Sequence, residues 1–306
     1  MKPEILIIAD VPGWALDRTA ENIIKRLSNR FKFKKVFNAQ AVEAVKKNNY
    51  DLLYITYWRQ FQDASINIKI SSPVITGIRS HFKWDKGKGL PPSDEMLNHI
   101  NTFKAVNVPS RILYNIFRDK HSALFYTPHG VDQNIFIPAK NPFCSSAEEL
   151  VIGWTGSKDN HPNKRGLDDL LIPALKDLKG VELKTAARED KWRSQEEMVS
   201  FYQRLDAYIC TSRTEGGPHP LLEASSCGIP IISTQVGIAP DLIENNKNGI
   251  LIDRSINSII KAVTLLRDNS DLRRNMAVNA RQFIVDSWTW DIQAQHYVPF
   301  FEKGLS

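Results

Sequence analysis

Glu215 and Glu223 stand eight positions apart in the stretch 211–230, T-S-R-T-E-G-G-P-H-P-L-L-E-A-S-S-C-G-I-P. Two glycines, two prolines and a histidine separate them. Carboxylates at this spacing can each accept hydrogen bonds from hydroxyl groups, and a glycine pair lets a backbone approach a ligand closely. An apolar run precedes the stretch at 207–210, and a second follows at 229–233. Between them 221–226 reads as a short helix stopped by Gly228. The pattern is strand, glycine loop, helix, strand. A helix start presents unpaired N–H groups and a positive dipole end, which suits an anion. Pro218 and Pro220 carry no N–H, so the expected donors are Gly216, Gly217, His219, Leu221 and Leu222.

Two carboxylates beside an anion cradle would repel a phosphate unless each faces something else. Neighbouring sugar hydroxyls are the natural partners of a carboxylate. A ligand with phosphates in the middle and a sugar at each end fits, which is a nucleotide-sugar. The competing reading is a plain turn with two solvated glutamates.

The elements that would position these groups form an α/β chain. Strands are expected at 5–9, 35–37, 52–56, 74–77, 105–108, 124–126 and 181–185, and the run 151–158 opens the second half. Helices are expected at 17–27, 41–47, 94–101, 111–117, 167–178, 195–205, 256–267 and 271–285. Alternation of the two argues for parallel sheets wrapped on both faces. The first strand ends in D-V-P-G-W at 10–14, without G-x-G-x-x-G, which disfavours a dinucleotide cofactor. Residues 83–92 read as an exposed loop leaving the end of strand 74–77. His81 opens that loop, and Arg79 and Ser80 are placed to reach the same end of the sheet. A structural histidine is the alternative for His81.

The stretch 211–230 resembles the E-x7-E motif of the retaining GT-B glycosyltransferases of the group 1, family 4-like type. P-H-G-V-D with Phe136 and Pro138 resembles the motif that closes the first domain of that family. The run 151–166, with Lys158, Lys164, Arg165 and Gly166, resembles its diphosphate-binding segment. Residues 234–241 and 248–252 resemble the segments that follow the motif. The resemblance covers almost all of the second half and less of the first. The chain departs from the pattern at Trp14, Trp154, Pro218 and Ile238.

The resemblance implies a fold of two Rossmann-like domains with the active site in the cleft between them. The expected domains are an acceptor-side domain over 1–138, a linker over 139–149, and a nucleotide-sugar domain over 150–286. A last helix, 287–306, is expected to cross back to the first domain. The implied reaction transfers a sugar from a nucleoside diphosphate sugar to a hydroxyl with retention, in glycan or glycoconjugate synthesis. Glu215 would meet the transferred sugar and Glu223 the ribose. Gly13 would face the donor phosphate, and His81 would lie near the transferred sugar. Lys158, Lys164 and Arg165 share the cationic role on the diphosphate, with N–H groups of Gly217 and His219 aiding the leaving group. No metal or other cofactor is expected, since no D-x-D pair suggests one. A GT-B nucleotide-sugar epimerase, an inactive nucleotide-sugar-binding protein and a glycosyltransferase of modified DNA are the alternatives.

The 306 residues, 42% hydrophobic and 24% charged, suit a globular protein with two domains. No apolar run approaches membrane-helix length, and 5–9 is too short for a signal peptide, so a cytoplasmic location is expected. Three widely spaced cysteines suggest neither disulfides nor a zinc site, and Cys210 and Cys227 read as buried. The net charge of +6 is concentrated in the first half, at Lys25, Arg26, Arg30, Lys32, Lys34 and Lys35. It reads either as a solvated face or as peripheral contact with an anionic membrane. No nucleic-acid-binding motif accompanies it.

Overall fold

The computed structural model describes residues 1–47, 49–60, 72–81, 90–140, 149–158 and 164–306. The chain forms two compact units. Unit 1 is Met1–Gly130 with Trp290–Ser306, and unit 2 is Val131–Thr289. Each holds one parallel sheet between layers of helices, the expected pair of Rossmann-like folds.

Unit 1 has a six-stranded sheet in the order β2-β1-β3-β4-β5-β6. The strands are β1 (Glu4–Ala9), β2 (Lys32–Phe37), β3 (Leu52–Ile55), β4 (Val74–Gly77), β5 (Ala105–Val108) and β6 (Leu124–Tyr126). Helices α1 (Ala15–Leu27), α2 (Asn38–Lys47), α3 (Asp94–Ile100) and α4 (Arg111–Phe117) join them. The two-residue period of a strand sorts β1 cleanly. Ile5 and Ile7 pack with Ala20, Ile23 and Phe301 on one face, and Leu6 and Ile8 pack with Val36 and Ala41 on the other. Burial on both faces is why β1 reads as an unbroken apolar run. The final helix, Tyr297–Leu305, lies on the first of these faces, where Phe300 and Tyr54 meet edge to face at 5.4 Å. A Cβ on Gly304 would stand 2.8 Å from Leu52, so close helix-to-sheet packing requires the glycine there.

Unit 2 has a five-stranded sheet in the order β11-β10-β9-β7-β8. Its strands are β7 (Leu150–Gly156), β8 (Val181–Ala187), β9 (Ala207–Cys210), β10 (Ile231–Thr234) and β11 (Gly249–Ile252). Its main helices are α5 (Ile172–Leu175), α6 (Gln195–Tyr202), α7 (His219–Ser226), α8 (Ala239–Leu242), α9 (Ile256–Asp268) and α10 (Ser270–Phe283). Tyr208 and Cys210 of β9 face α7, and Ala207 and Ile209 face the layer containing α9. Cys210 and Cys227 are buried free thiols.

The unit boundary falls at 130 rather than the expected 138. Residues 131–138 are tied to unit 2. Val131 N donates to Trp288 O at 3.0 Å, Ser226 Oγ to Phe136 O at 2.7 Å, and Arg281 to Gln133 O at 3.0 Å. Most of the expected linker, and the loop expected over 83–92 up to position 89, lie outside the described residues.

Of the six basic residues singled out in unit 1, Arg26, Arg30, Lys32 and Lys35 form ion pairs. Arg26 meets Asp291 at 2.7 Å, Lys32 meets Glu4 at 2.9 Å, and Lys35 meets Asp17 and Glu21. Lys34 sits 5.9 Å from the centre of the Tyr50 ring. The exposed Lys32–Glu4 pair adds little stability, and the pairs together lower the net charge the surface shows to solvent. No helix among the described residues is long and apolar enough to cross a membrane.

Candidate donor-binding site

In unit 2 the chain starts at β7, steps outward to β8, and returns to the far side of β7 as β9. The loops leaving β7 and β9 therefore diverge to opposite faces and leave a crevice at their carboxyl ends, where open α/β sheets bind ligands. Both loops carry the residues singled out by sequence.

The two loops are laced together by hydrogen bonds to backbone carbonyls. Arg213 N donates to Lys164 O at 2.8 Å, and Thr211 Oγ1 to Arg165 O at 2.7 Å. Gly166 has a φ of +75°, and a Cβ there would lie 2.5 Å from Thr211 O. Only glycine satisfies both demands. Gly166→Ala is accordingly expected to destabilise the protein by about 1–3 kcal/mol from the backbone conformation, with the clash in addition. A lowered midpoint of denaturant unfolding checks this.

The end of β10 and the loop after it pack against the loop after β9. Thr234 Oγ1 donates to Ser212 O at 2.7 Å. A Cβ on Gly237 would come within 2.6 Å of Gly216 O, so this loop lies directly on the E-G-G-P turn. Arg254, beyond β11, donates to Thr211 O at 3.2 Å and to Asp169 at 3.0 Å.

Within this frame Glu215 is buried and accepts from Ser212 Oγ at 2.8 Å. Its carboxylate also forms an ion pair with the guanidinium of Arg165. The structure thus brings together two residues fifty positions apart in the chain. Desolvation lowers the Arg165 pKa from its ordinary value, so the site holds its cation against a solvation penalty. An anion meeting that guanidinium would offset the penalty.

Glu223 lies in α7, buried, and accepts from Tyr202 Oη at 2.8 Å. The first turn of α7 begins at His219, after Pro218, with no side-chain cap. Helices α3, α4, α6 and α9 are all capped by serine. Gly216 and Gly217 precede this uncapped start. Leu221 corrects the expected set of donors, because its N–H points back to Pro218 O at 3.1 Å. Leu222 is buried in the core under the loop.

Lys158 is held elsewhere. Its Nζ meets both oxygens of Asp190 at 2.8 and 3.0 Å, and its N–H meets Glu189 at 2.8 Å. These bonds tie it to the loop after β8 rather than the loop after β9. Trp154 is buried in the core of unit 2, with its ring beneath Gly156. It therefore supplies packing where the family pattern has arginine.

Gly13 and His81 belong to unit 1. Gly13 has a φ of +75° and donates its N–H to Asp17 at 2.8 Å. His81 ends the described stretch that follows β4. Arg79 is drawn across the strand ends, with Nε on Thr56 O at 2.7 Å and Nη2 on Asn107 at 3.0 Å. Asp10, at the end of β1, has its carboxyl pKa raised chiefly by burial.

Sequence reasoning did not single out Ser212, Tyr202, Thr214 or Arg254. Thr214 Oγ1 is buried one residue before Glu215 with no hydrogen-bond partner among the described residues. Its position beside the motif was the available signal. Tyr202 and Arg254 reach the site only through helix and loop packing.

Comparison with known proteins bears on this geometry. Residues 182–283 match the family model of the glycosyl transferases group 1. A GDP-mannose-dependent alpha-(1-6)-phosphatidylinositol monomannoside mannosyltransferase of Mycobacterium tuberculosis is 28% identical over 113 residues. That match spans 34% of this chain and 29% of the relative. A probable sucrose-phosphate synthase of Thermosipho melanesiensis is 23% identical over 62% of this chain and 49% of its own length. Among solved structures, sucrose-phosphate synthase of Thermosynechococcus elongatus superposes with a TM-score of 0.80 at 14% identity, covering 99% of each chain. Anabaena HepE in complex with UDP-glucose superposes with a TM-score of 0.76 at 15% identity, covering 98% of this chain and 99% of its own. Residues 182–283 thus resemble the group 1 glycosyltransferases, and the two parallel sheets have the fold of the GT-B structures.

Proposed function

We propose that the protein transfers a glycosyl group from a nucleoside diphosphate sugar to an acceptor hydroxyl, with retention of anomeric configuration, in glycan or glycoconjugate synthesis. The observation that carries the reading is the convergence at the β7/β9 crevice. A half-buried arginine, a helix start with no side-chain cap and two buried carboxylates lie on the loops after β7 and β9 and in α7. Each part matches one part of the donor.

The diphosphate takes Arg165, the start of α7 and Lys164. Arg165 is paired with Glu215, so a phosphate that engages the guanidinium also releases the carboxylate. Glu215 is then available to hydroxyls of the transferred sugar. Glu223 takes the ribose. As the glycosidic bond breaks, negative charge grows on the departing diphosphate. Fixed donors and the helix dipole stabilise it without reorganising.

The UDP-glucose bound by HepE and the GDP-mannose named for the mycobacterial relative define the first ligands to try. UDP, GDP, UDP-glucose and GDP-mannose are expected to raise the melting temperature unequally, with the matching base giving the larger shift. Release of nucleoside diphosphate with a simple glycoside acceptor then tests transfer. No shift with any nucleotide would overturn the reading. Since the leaving group is stabilised here by protein groups, prior treatment with EDTA is expected to leave turnover within about twofold. Loss of activity restored by a divalent cation would contradict that assignment.

A further inference from the structure

Tyr202 ends α6 and is fully buried. Its hydroxyl donates to Oε2 of Glu223 at 2.8 Å. The ring packs against those of Phe136, Phe201 and Tyr208, with centroids 6.2, 5.6 and 5.9 Å away. It therefore has one orientation, set by the core of unit 2. Burial, with the Glu223 carboxylate beside it, pushes the phenol pKa well above its ordinary value. The hydroxyl keeps its proton at any working pH and stays a donor.

Glu223 is a flexible side chain in a rigid setting. Its carboxylate has two oxygens and about four acceptor positions. A donor that cannot move fixes one of those positions and so fixes the plane of the group. A pair of neighbouring hydroxyls needs a carboxylate already held at the right angle, because ordering it on binding would subtract from affinity.

We infer that Tyr202 is the positioning residue of the ribose site, holding Glu223 by Oε2 so that the carboxylate meets the two ribose hydroxyls of a bound nucleotide in a preset orientation. The inference rests on the assignment of Glu223 to the ribose. It also explains why a tyrosine hydroxyl is placed inside an aromatic cluster at all. A phenylalanine would fill the same space and leave the carboxylate short of one donor.

The test separates positioning from packing by changing the ligand as well as the protein. Wild type, Tyr202→Phe and Glu223→Gln are titrated by calorimetry with UDP and GDP, and with their 2′,3′-dideoxyribose counterparts. The quantity read is the ratio of affinities, ribose over dideoxyribose, for the base that binds. In the wild type that ratio is expected to be large, and Glu223→Gln to remove most of it. Tyr202→Phe is expected to lower it about tenfold while leaving affinity for the dideoxy ligand unchanged.

A structural role alone would weaken both ligands equally, so an unchanged ratio in Tyr202→Phe overturns the inference. If Glu223→Gln keeps the full ratio, the ribose assignment itself fails, and the two failures are told apart. Should Tyr202→Phe not fold, Phe136→Leu loosens the grip on the ring and leaves the hydroxyl in place. It is expected to lower the same ratio by a smaller factor, and no change there overturns the inference equally.

Discussion

Replacing Arg165 and Lys164 together by alanine is expected to weaken binding of the nucleoside diphosphate product about a hundredfold and to lower turnover further. Arg165 is half-buried and lies on a loop whose backbone is bonded to Thr211 and Arg213, so its position does not depend on its own side chain. A charge-assisted hydrogen bond contributes roughly 1.5–3 kcal/mol, which is about ten- to a hundredfold in affinity. Charge on the diphosphate increases in the transition state, and loss of one such donor costs about 3 kcal/mol of barrier. The effect on kcat should therefore exceed the effect on product affinity. Arg165→Ala also leaves Glu215 without its cation and with Ser212 as its side-chain hydrogen-bond donor among the described residues, so a fall in stability should accompany it. Calorimetry with product and initial rates with donor check both parts. Unchanged product affinity would remove Arg165 from the diphosphate site.

The parts of this site that could be read from the sequence are those fixed by local chemistry. Apolar runs long enough to be buried on both faces gave β1 and β9 nearly to the residue. The glycines gave the loops, because Gly166 and Gly237 stand where another residue would strike a carbonyl. Helix shapes were less legible. Residues 167–178 read as one helix, but Pro173 has no N–H to donate. The turn before it widens, with Leu171 N reaching back five residues to Gly166 O at 2.9 Å, and α5 is short. Residues 195–205 likewise end as a helix at Tyr202, where the chain tightens and Leu205 N donates to Tyr202 O at 3.0 Å.

Contacts between elements left no local mark. Tyr202 and Glu223 meet because α6 and α7 pack on the same face of the sheet, and no pattern in either helix announces the pair. The departure at Trp154 shows the same limit from the other side. A tryptophan at an expected arginine position reads as a lost contact. In the fold it is a core residue of β7, and Arg165, on the loop that follows, is the cation paired with Glu215.

The two glutamates are expected to part company when each is made neutral. Glu223 is anchored in the first turns of α7, with Oε2 on Tyr202, and its assigned partner is the ribose. Glu223→Gln should weaken the nucleotide-sugar and the bare nucleoside diphosphate alike, by about ten- to a hundredfold, because both contain the ribose. Glu215 sits before the glycines and is paired with Arg165. Glu215→Gln removes a carboxylate that competes with phosphate for the guanidinium, so affinity for the bare diphosphate should hold or rise slightly. Transfer should still fall. The contacts that Glu215 makes to the sugar strengthen as positive charge builds at the anomeric carbon, so the loss should appear mainly in kcat and little in KM. Opposite responses of product affinity in the two variants are what the arrangement of Tyr202, Glu223, Arg165 and Glu215 requires. If both variants bind product as the wild type does and transfer sugar at its rate, neither carboxylate touches the donor, and the stretch 211–230 is a turn between two strands.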